Sequence, residues 1–260
     1  IWSVLRAMST PPIRGTGLRP DRMPPLRAGR PLKRWRYVAV YGPDSRYAAD
    51  GQCTEDTPLL PLPPPAYYAR SKRESEAMVL EAHAAGRIRA TAVRPPVIYG
   101  VRDRQFIPRM ARVLRFGIFP LIAGGRTTVP IVHAANVADG IARAAVQDTA
   151  MGKVYLLADD HDVTVADFIR YAAEGMARRI VALPVPLAVA RALQAVLRTA
   201  ATLIMGRNAG VMAGSTLRFL TSDNPFSSER AFRELGWAPP VPPSQGIPAA
   251  FRWAMQSRTA

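Results

Sequence analysis

Tyr67-Tyr68-Ala69-Arg70-Ser71-Lys72-Arg73-Glu74-Ser75-Glu76-Ala77-Met78-Val79-Leu80-Glu81-Ala82-His83-Ala84, followed after a short turn by Ile88-Arg89-Ala90-Thr91-Ala92-Val93-Arg94 and Pro95-Pro96, is the stretch that decides the fold. Its first part reads as a helix over 67–84, with Tyr68, Ser71, Lys72, Ser75, Met78, Val79 and Ala82 near one face. Its second part reads as a buried strand over 88–94, stopped by the two prolines. Upstream, Tyr37-Val38-Ala39-Val40 is a short strand-forming run that ends in the turn residues Tyr41-Gly42-Pro43-Asp44. Strand, long helix, strand is a parallel crossover unit.

The alternation continues downstream. Helices are expected near 106–116, 135–147, 227–235 and 245–257, and strands near 128–133 and 154–157. Thr164 is placed to cap a helix that runs to about 176, and Gly236 to end the one before it. This pattern argues for an α/β protein. Residues 1–36 differ from the rest. They hold six prolines and many arginines with no periodicity, and read as disordered or foreign to the fold.

The formal charge of +16 raises the question of nucleic acid. Nine basic groups stand against Asp21 alone in residues 1–37, so half the excess lies in the first seventh of the chain. The remainder has no dense basic stripe, and a nucleic-acid partner is not expected. The single cysteine, Cys53, allows no intrachain disulfide and suits a reducing cytoplasm. His83, His133 and His161 are scattered, so no metal site is expected. The most apolar region, 181–205, is interrupted by Pro184, Pro186, Arg191 and Arg198, too often for a membrane span. It reads as an amphipathic core helix, with a membrane-surface helix as the weaker reading.

Tyr68 and Lys72 carry the chemistry. Residues four apart on a helix share a face, so a phenol lies beside an ammonium. A nearby cation favours phenolate and draws a tyrosine pKa down from about 10. Such a tyrosine can protonate a carbonyl oxygen or deprotonate an alcohol.

The surrounding motifs make a family resemblance specific. Val40-Tyr41-Gly42 at a strand end precedes Thr54-Glu55-Asp56-Thr57-Pro58, Tyr68-x-x-x-Lys72 with Glu76, and Arg94-Pro95-Pro96-Val97-Ile98-Tyr99-Gly100. Ile131-Val132-His133, Gly152-Lys153-Val154-Tyr155, Thr164-Val165-Ala166-Asp167-Phe168 and Glu234-Leu235-Gly236-Trp237 follow in order. Over about 38–258 the chain resembles an extended short-chain dehydrogenase/reductase, a group that includes NAD-dependent epimerases/dehydratases and 3β-hydroxysteroid dehydrogenases. The resemblance implies the C-terminal part of a Rossmann-type doubly wound parallel sheet plus a small, mostly helical substrate domain. On that reading 37–158 is part of an NAD(P)-binding domain and 159–260 the substrate-binding region. The cofactor is NAD or NADP. Tyr68 is the catalytic acid/base and also binds the cofactor, Lys72 is its partner and a ribose ligand, and the backbone of Pro95, Pro96 and Val97 faces the nicotinamide carboxamide.

Two departures stand out. The family places a serine or threonine three residues before the position of Val40, where this chain has Tyr37. The family also begins with a Gly-rich strand-to-helix turn that cradles the pyrophosphate. Arg14-Gly15-Thr16-Gly17 has no preceding strand and no third glycine, so the chain as written is expected to lack that part of the cofactor site. An inactive, truncated remnant therefore stands beside an active oxidoreductase as a reading. Nucleotide-sugar enzymes of the family carry an asparagine where this chain has Val97, and an Arg-Asp pair where it has Val129-Pro130. Apolar residues there favour a hydrophobic hydroxy or keto substrate over a nucleotide sugar, the alternative. The expected partner is that small molecule, with a homodimer left open.

Overall fold

The computed structural model describes residues 36–40 (backbone only), 53–59, 61–62, 66–158, 163–192, 195–196, 199, 224 and 226–257. The expectations for 1–35, and for 181–205 beyond these residues, fall outside what is described. In chain order the strands are β1 (Arg36–Val40), β2 (Arg89–Arg94), β3 (Val97–Tyr99), β4 (Ile118–Ile122), β5 (Ile131–His133), β6 (Val154–Leu156) and β7 (Val181–Val185). The helices are α1 (Tyr67–Ala84), α2 (Phe106–Leu114), α3 (Ala134–Val146), α4 (Val165–Gly175), α5 (Glu229–Leu235) and α6 (Pro243–Gln256).

Strands β1, β2 and β6 form a parallel sheet in that order, with Tyr37 opposite Ala90 and Val93 opposite Tyr155. The crossover from β1 through α1 to β2 is the one expected from the sequence. Ala90, Thr91, Ala92 and Val93 are all fully buried, as befits a central parallel strand covered on both faces. β3 pairs with β5 and β4 with β7, both parallel. The fold is α/β.

Two apolar clusters hold these layers. Val93, Val137, Tyr155, Leu157, Leu235 and Trp237 pack around the β2–β6 sheet. Tyr99, Ile107, Leu114, Phe168 and Phe251 belong to a second cluster, built from residues on both sides of position 158. Thr164 caps α4 by accepting from the Asp167 N–H at 3.0 Å. Gly236 ends α5 at φ 60°, a left-handed value that glycine adopts at low cost.

Three strands were not expected. β3 begins directly after the proline pair that stops β2, and β4 carries Pro120. β7 corrects the reading of 181–205 as a core helix. Val181–Val185 is a strand, its first four residues are exposed, and helix starts only at 187, after Pro184 and Pro186. The face of α1 picked out by Tyr68, Ser71 and Met78 is also turned largely to solvent, and Glu76 is the buried residue of that helix.

Helices α4 and α6 cross at Gly175. A Cβ there would lie 2.5 Å from the Pro248 carbonyl oxygen and 2.8 Å from the Phe251 Cβ. Gly175→Ala is therefore expected to force the helices apart and cost about 1–3 kcal/mol, read as a lower urea midpoint.

Among the described residues no helix is long and apolar enough to cross a membrane.

Candidate active site

Helix α1 is fixed to both ends of β2. At its carboxyl end His83 Nδ1 accepts the Ala90 N–H at 3.3 Å, at the start of β2. Near its middle Glu76 meets Arg94, the last residue of β2. Arg94 Nε donates to Glu76 Oε2 at 2.9 Å, and Arg94 Nη2 donates to Glu76 Oε1 to complete a bidentate pair. The side chains are 11% and 14% exposed, so the pair is shielded from water. Burial opposes the charge on Arg94. The hydrogen bonds and charge of Glu76, with smaller contributions from Glu55 and Cys53, outweigh it and hold the guanidinium above its usual range.

This pin places the first two turns of α1. Glu76 sits level with the carboxyl end of β2. At 1.5 Å per residue, Lys72 lies about 6 Å and Tyr68 about 12 Å further out. Both side chains thus stand beyond the carboxyl edge of the parallel sheet, where open α/β folds bind ligands. Lys72 Nζ lies 5.6 Å from the centroid of the Tyr68 ring, so phenol and ammonium do share one face. Tyr68 is 69% exposed, and neither polar head has a hydrogen-bond partner among the described residues. A ligand can reach both.

A second group of residues locks the same edge of the sheet. Glu55, buried, accepts the Leu156 N–H at the end of β6 at 2.7 Å and lies 3.6 Å from Arg230 Nε. Arg230 also pairs with the neighbouring Asp56. Ser227 N–H donates to the Cys53 carbonyl at 3.0 Å. The Thr54–Thr57 turn is thereby tied to α5 and β6. The sequence marked Glu55 as part of a motif but gave no sign of this role, because its partners lie about a hundred and more residues away.

The 95–97 segment leaves β2 beside this edge. Pro95 and Pro96 have no N–H, and Val97 gives its N–H to the Pro130 carbonyl at 3.2 Å. Val129 is buried in the core, and Val97 packs against it. Tyr37 lies in β1, with its side chain outside the described residues. Among the described residues no cluster of His, Cys, Asp and Glu is grouped to hold a metal ion.

His133 terminates β5 and caps α3, with Nδ1 accepting the Ala135 N–H at 3.2 Å. Burial pushes its pKa below the usual 6.5. Protonation would remove the acceptor and set a cation at the positive end of a helix. The unfolded chain therefore binds more protons. Stability is expected to be full above about 6.5, to fall as pH drops through that value, and to level off below the folded pKa. Urea unfolding at pH 5 to 8 reads this slope, and His133→Asn, which keeps a capping acceptor, should flatten it.

Residues 38–158 match the sequence model of the NAD dependent epimerase/dehydratase family. That span includes the end of β1 and all of α1, β2 and β6, and with them Tyr68, Lys72 and the 95–97 segment. Residues 38–158 belong to the NAD-dependent epimerase/dehydratase family. Among curated relatives, a 4-hydroxy-2-methyl-3-oxo-4-farnesyl-3,4-dihydroquinoline-1-oxide ketoreductase of Stigmatella aurantiaca is 29% identical over 205 residues, covering 77% of this chain and 60% of that protein. Human short-chain dehydrogenase/reductase family 42E member 1 is 31% identical over 200 residues, covering 70% of this chain and 51% of that protein. The chain thus spans about half to three-fifths of the length of these relatives. The fold is similar to that of UDP-glucuronic acid 4-epimerase from Bacillus cereus, solved in complex with NAD. The TM-score is 0.59 at 15% identity, covering 85% of this chain and 62% of the epimerase.

Proposed function

We propose that the protein is an NAD(P)-dependent oxidoreductase of the extended short-chain dehydrogenase type, acting on a hydrophobic hydroxy or keto compound. The observation that carries this reading is the Tyr68–Lys72 pair beyond the carboxyl edge of the β1–β2–β6 sheet, inside the segment that matches the family. The polar heads, without a hydrogen-bond partner among the described residues, fit a nicotinamide cofactor, which supplies or accepts the hydride when bound. Tyr68 donates its proton to the substrate oxygen in reduction and takes it back in oxidation. Lys72 holds a ribose hydroxyl and keeps a positive charge beside the phenol, and the carbonyls of Pro95, Pro96 and Val97 orient the carboxamide. Residues 37–158 act as the cofactor side and 159–260 as the substrate side.

Two points support the hydrophobic substrate. Val97, Val129 and Pro130 offer neither the amide nor the cation that a diphosphate would need. The Stigmatella relative is named as the ketoreductase of a farnesylated ring.

Cofactor titration tests the proposal. NADH or NADPH is expected to quench tryptophan fluorescence saturably below millimolar concentration, and Lys72→Met to weaken the apparent Kd at least about tenfold, the loss of one charge-assisted hydrogen bond. No quenching at millimolar cofactor would contradict the assignment. Faster turnover of a UDP- or dTDP-sugar than of a hydrophobic ketone would overturn its substrate half.

A further inference from the structure

The β4–β7 ribbon carries an exposed apolar surface. The parallel register sets Ile118 opposite Val181 and Pro120 opposite Leu183. Side chains alternate along a strand, so these four share one face of the ribbon. All four are exposed, while Phe119, on the other face, is buried in the core. Phe116, 66% exposed, stands just before β4, and Val189, 55% exposed, just after β7. An exposed apolar patch of this kind marks an interaction site in a folded protein.

Its charge identifies the partner. Arg115 lies over the Phe116 ring at 5.3 Å, and Arg178 Nη1 donates to the Arg115 carbonyl at 3.0 Å. Val181 N–H donates to the Gly117 carbonyl at 2.8 Å, which brings Arg178 and Arg179 alongside 115–118. Arg112, Arg115, Arg178, Arg179 and Arg191 are all exposed. No acid occurs between Asp103 and Asp139, or between Glu174 and Asp223. The apolar face is thus bordered by arginines with no intervening acid in either segment. A second copy docked symmetrically would bring these arginines against their own equivalents. An anionic lipid surface satisfies both features at once, because apolar side chains enter the interface while guanidinium groups meet the headgroups.

We propose that the β4–β7 face, with Phe116, Ile118, Val181 and Leu183 at its centre and Arg112, Arg115, Arg178 and Arg179 around it, docks the protein peripherally on anionic membranes.

The experiment is co-sedimentation of the full chain with vesicles of pure phosphatidylcholine or of phosphatidylcholine with 30% phosphatidylserine (roughly the anionic content at which basic clusters bind). Binding is expected to the anionic vesicles only and to weaken with salt. The variant F116S/I118S/V181S should bind at least about tenfold more weakly, since each exposed side chain loses insertion area. R115Q/R178Q should lose about fivefold per arginine. Thermal melts identical to the parent establish that both variants are folded, which their exposed positions favour. The basic segment 1–36 is retained throughout, so attraction due to it alone appears as binding that survives both substitutions, and that result overturns the proposal. No binding at low salt also overturns it. So does self-association of the parent chain that F116S/I118S/V181S abolishes without any vesicle binding, which would assign the face to a second copy.

Discussion

Tyr68→Phe is expected to lower kcat/KM for carbonyl reduction by about 10²–10⁴-fold, the usual worth of a positioned proton donor. The substitution removes one hydroxyl from a side chain that is largely exposed and has no hydrogen-bond partner among the described residues. Folding stability should therefore change by no more than about 0.5 kcal/mol, as for other surface replacements. Cofactor affinity should also hold, because the ribose contact is assigned to Lys72. Steady-state kinetics, a urea melt and a cofactor titration on the same preparation separate these effects. A residual rate within about threefold of the parent would show that the proton comes from elsewhere, since that loss is far below what a general acid contributes.

Glu76→Ala is expected to act through the fold and to cost about 3–5 kcal/mol, because it strands Arg94 as a buried, unpaired cation. The geometry gives the change a second consequence. Glu76 is the pin that sets α1 level with the end of β2, and Tyr68 and Lys72 take their positions from it. Activity should fall further than the fraction of folded protein explains. The paired variant Glu76→Leu with Arg94→Met replaces both partners by apolar groups of similar length. It should recover much of the stability, since an apolar pair avoids the desolvation cost of both charges. Equilibrium unfolding of the single and paired variants measures the coupling directly. Equal destabilisation by both would mean that the ion pair contributes nothing beyond packing.

Much of this arrangement was legible in the sequence because it is local. The helix over 67–84 was readable from the i, i+4 spacing of Tyr68 and Lys72 and from the turn before Ile88. The buried strand after it was readable from its run of small and β-branched residues between a turn and two prolines. Strands β3, β4 and β7 were not legible. β3 follows Pro95-Pro96 directly, and a proline pair reads as the stop of one strand, not as the start of the next. Prolines inside β4 and β7 are signals against a strand, tolerated here because each strand pairs on one side only with the other. The apolar run from Val181 resembled a core helix because periodicity alone does not separate a short apolar strand from a buried helix. The candidate site divides in the same way. Tyr68 and Lys72 sit four residues apart and announce themselves. Glu55 reaches Leu156 and Arg230, and Glu76 reaches Arg94, only after β1, β2 and β6 have come together, so sequence spacing gave their presence but not their partners.

A crystal structure of the protein with NAD(P)H bound tests the central claim most directly. Lys72 Nζ should lie within hydrogen-bond distance, about 2.6–3.2 Å, of a ribose hydroxyl, with the Tyr68 hydroxyl facing the nicotinamide ring across a space that fits a carbonyl oxygen. A nicotinamide seated away from the amino-terminal turns of α1, with Tyr68 and Lys72 still open to water, would contradict it.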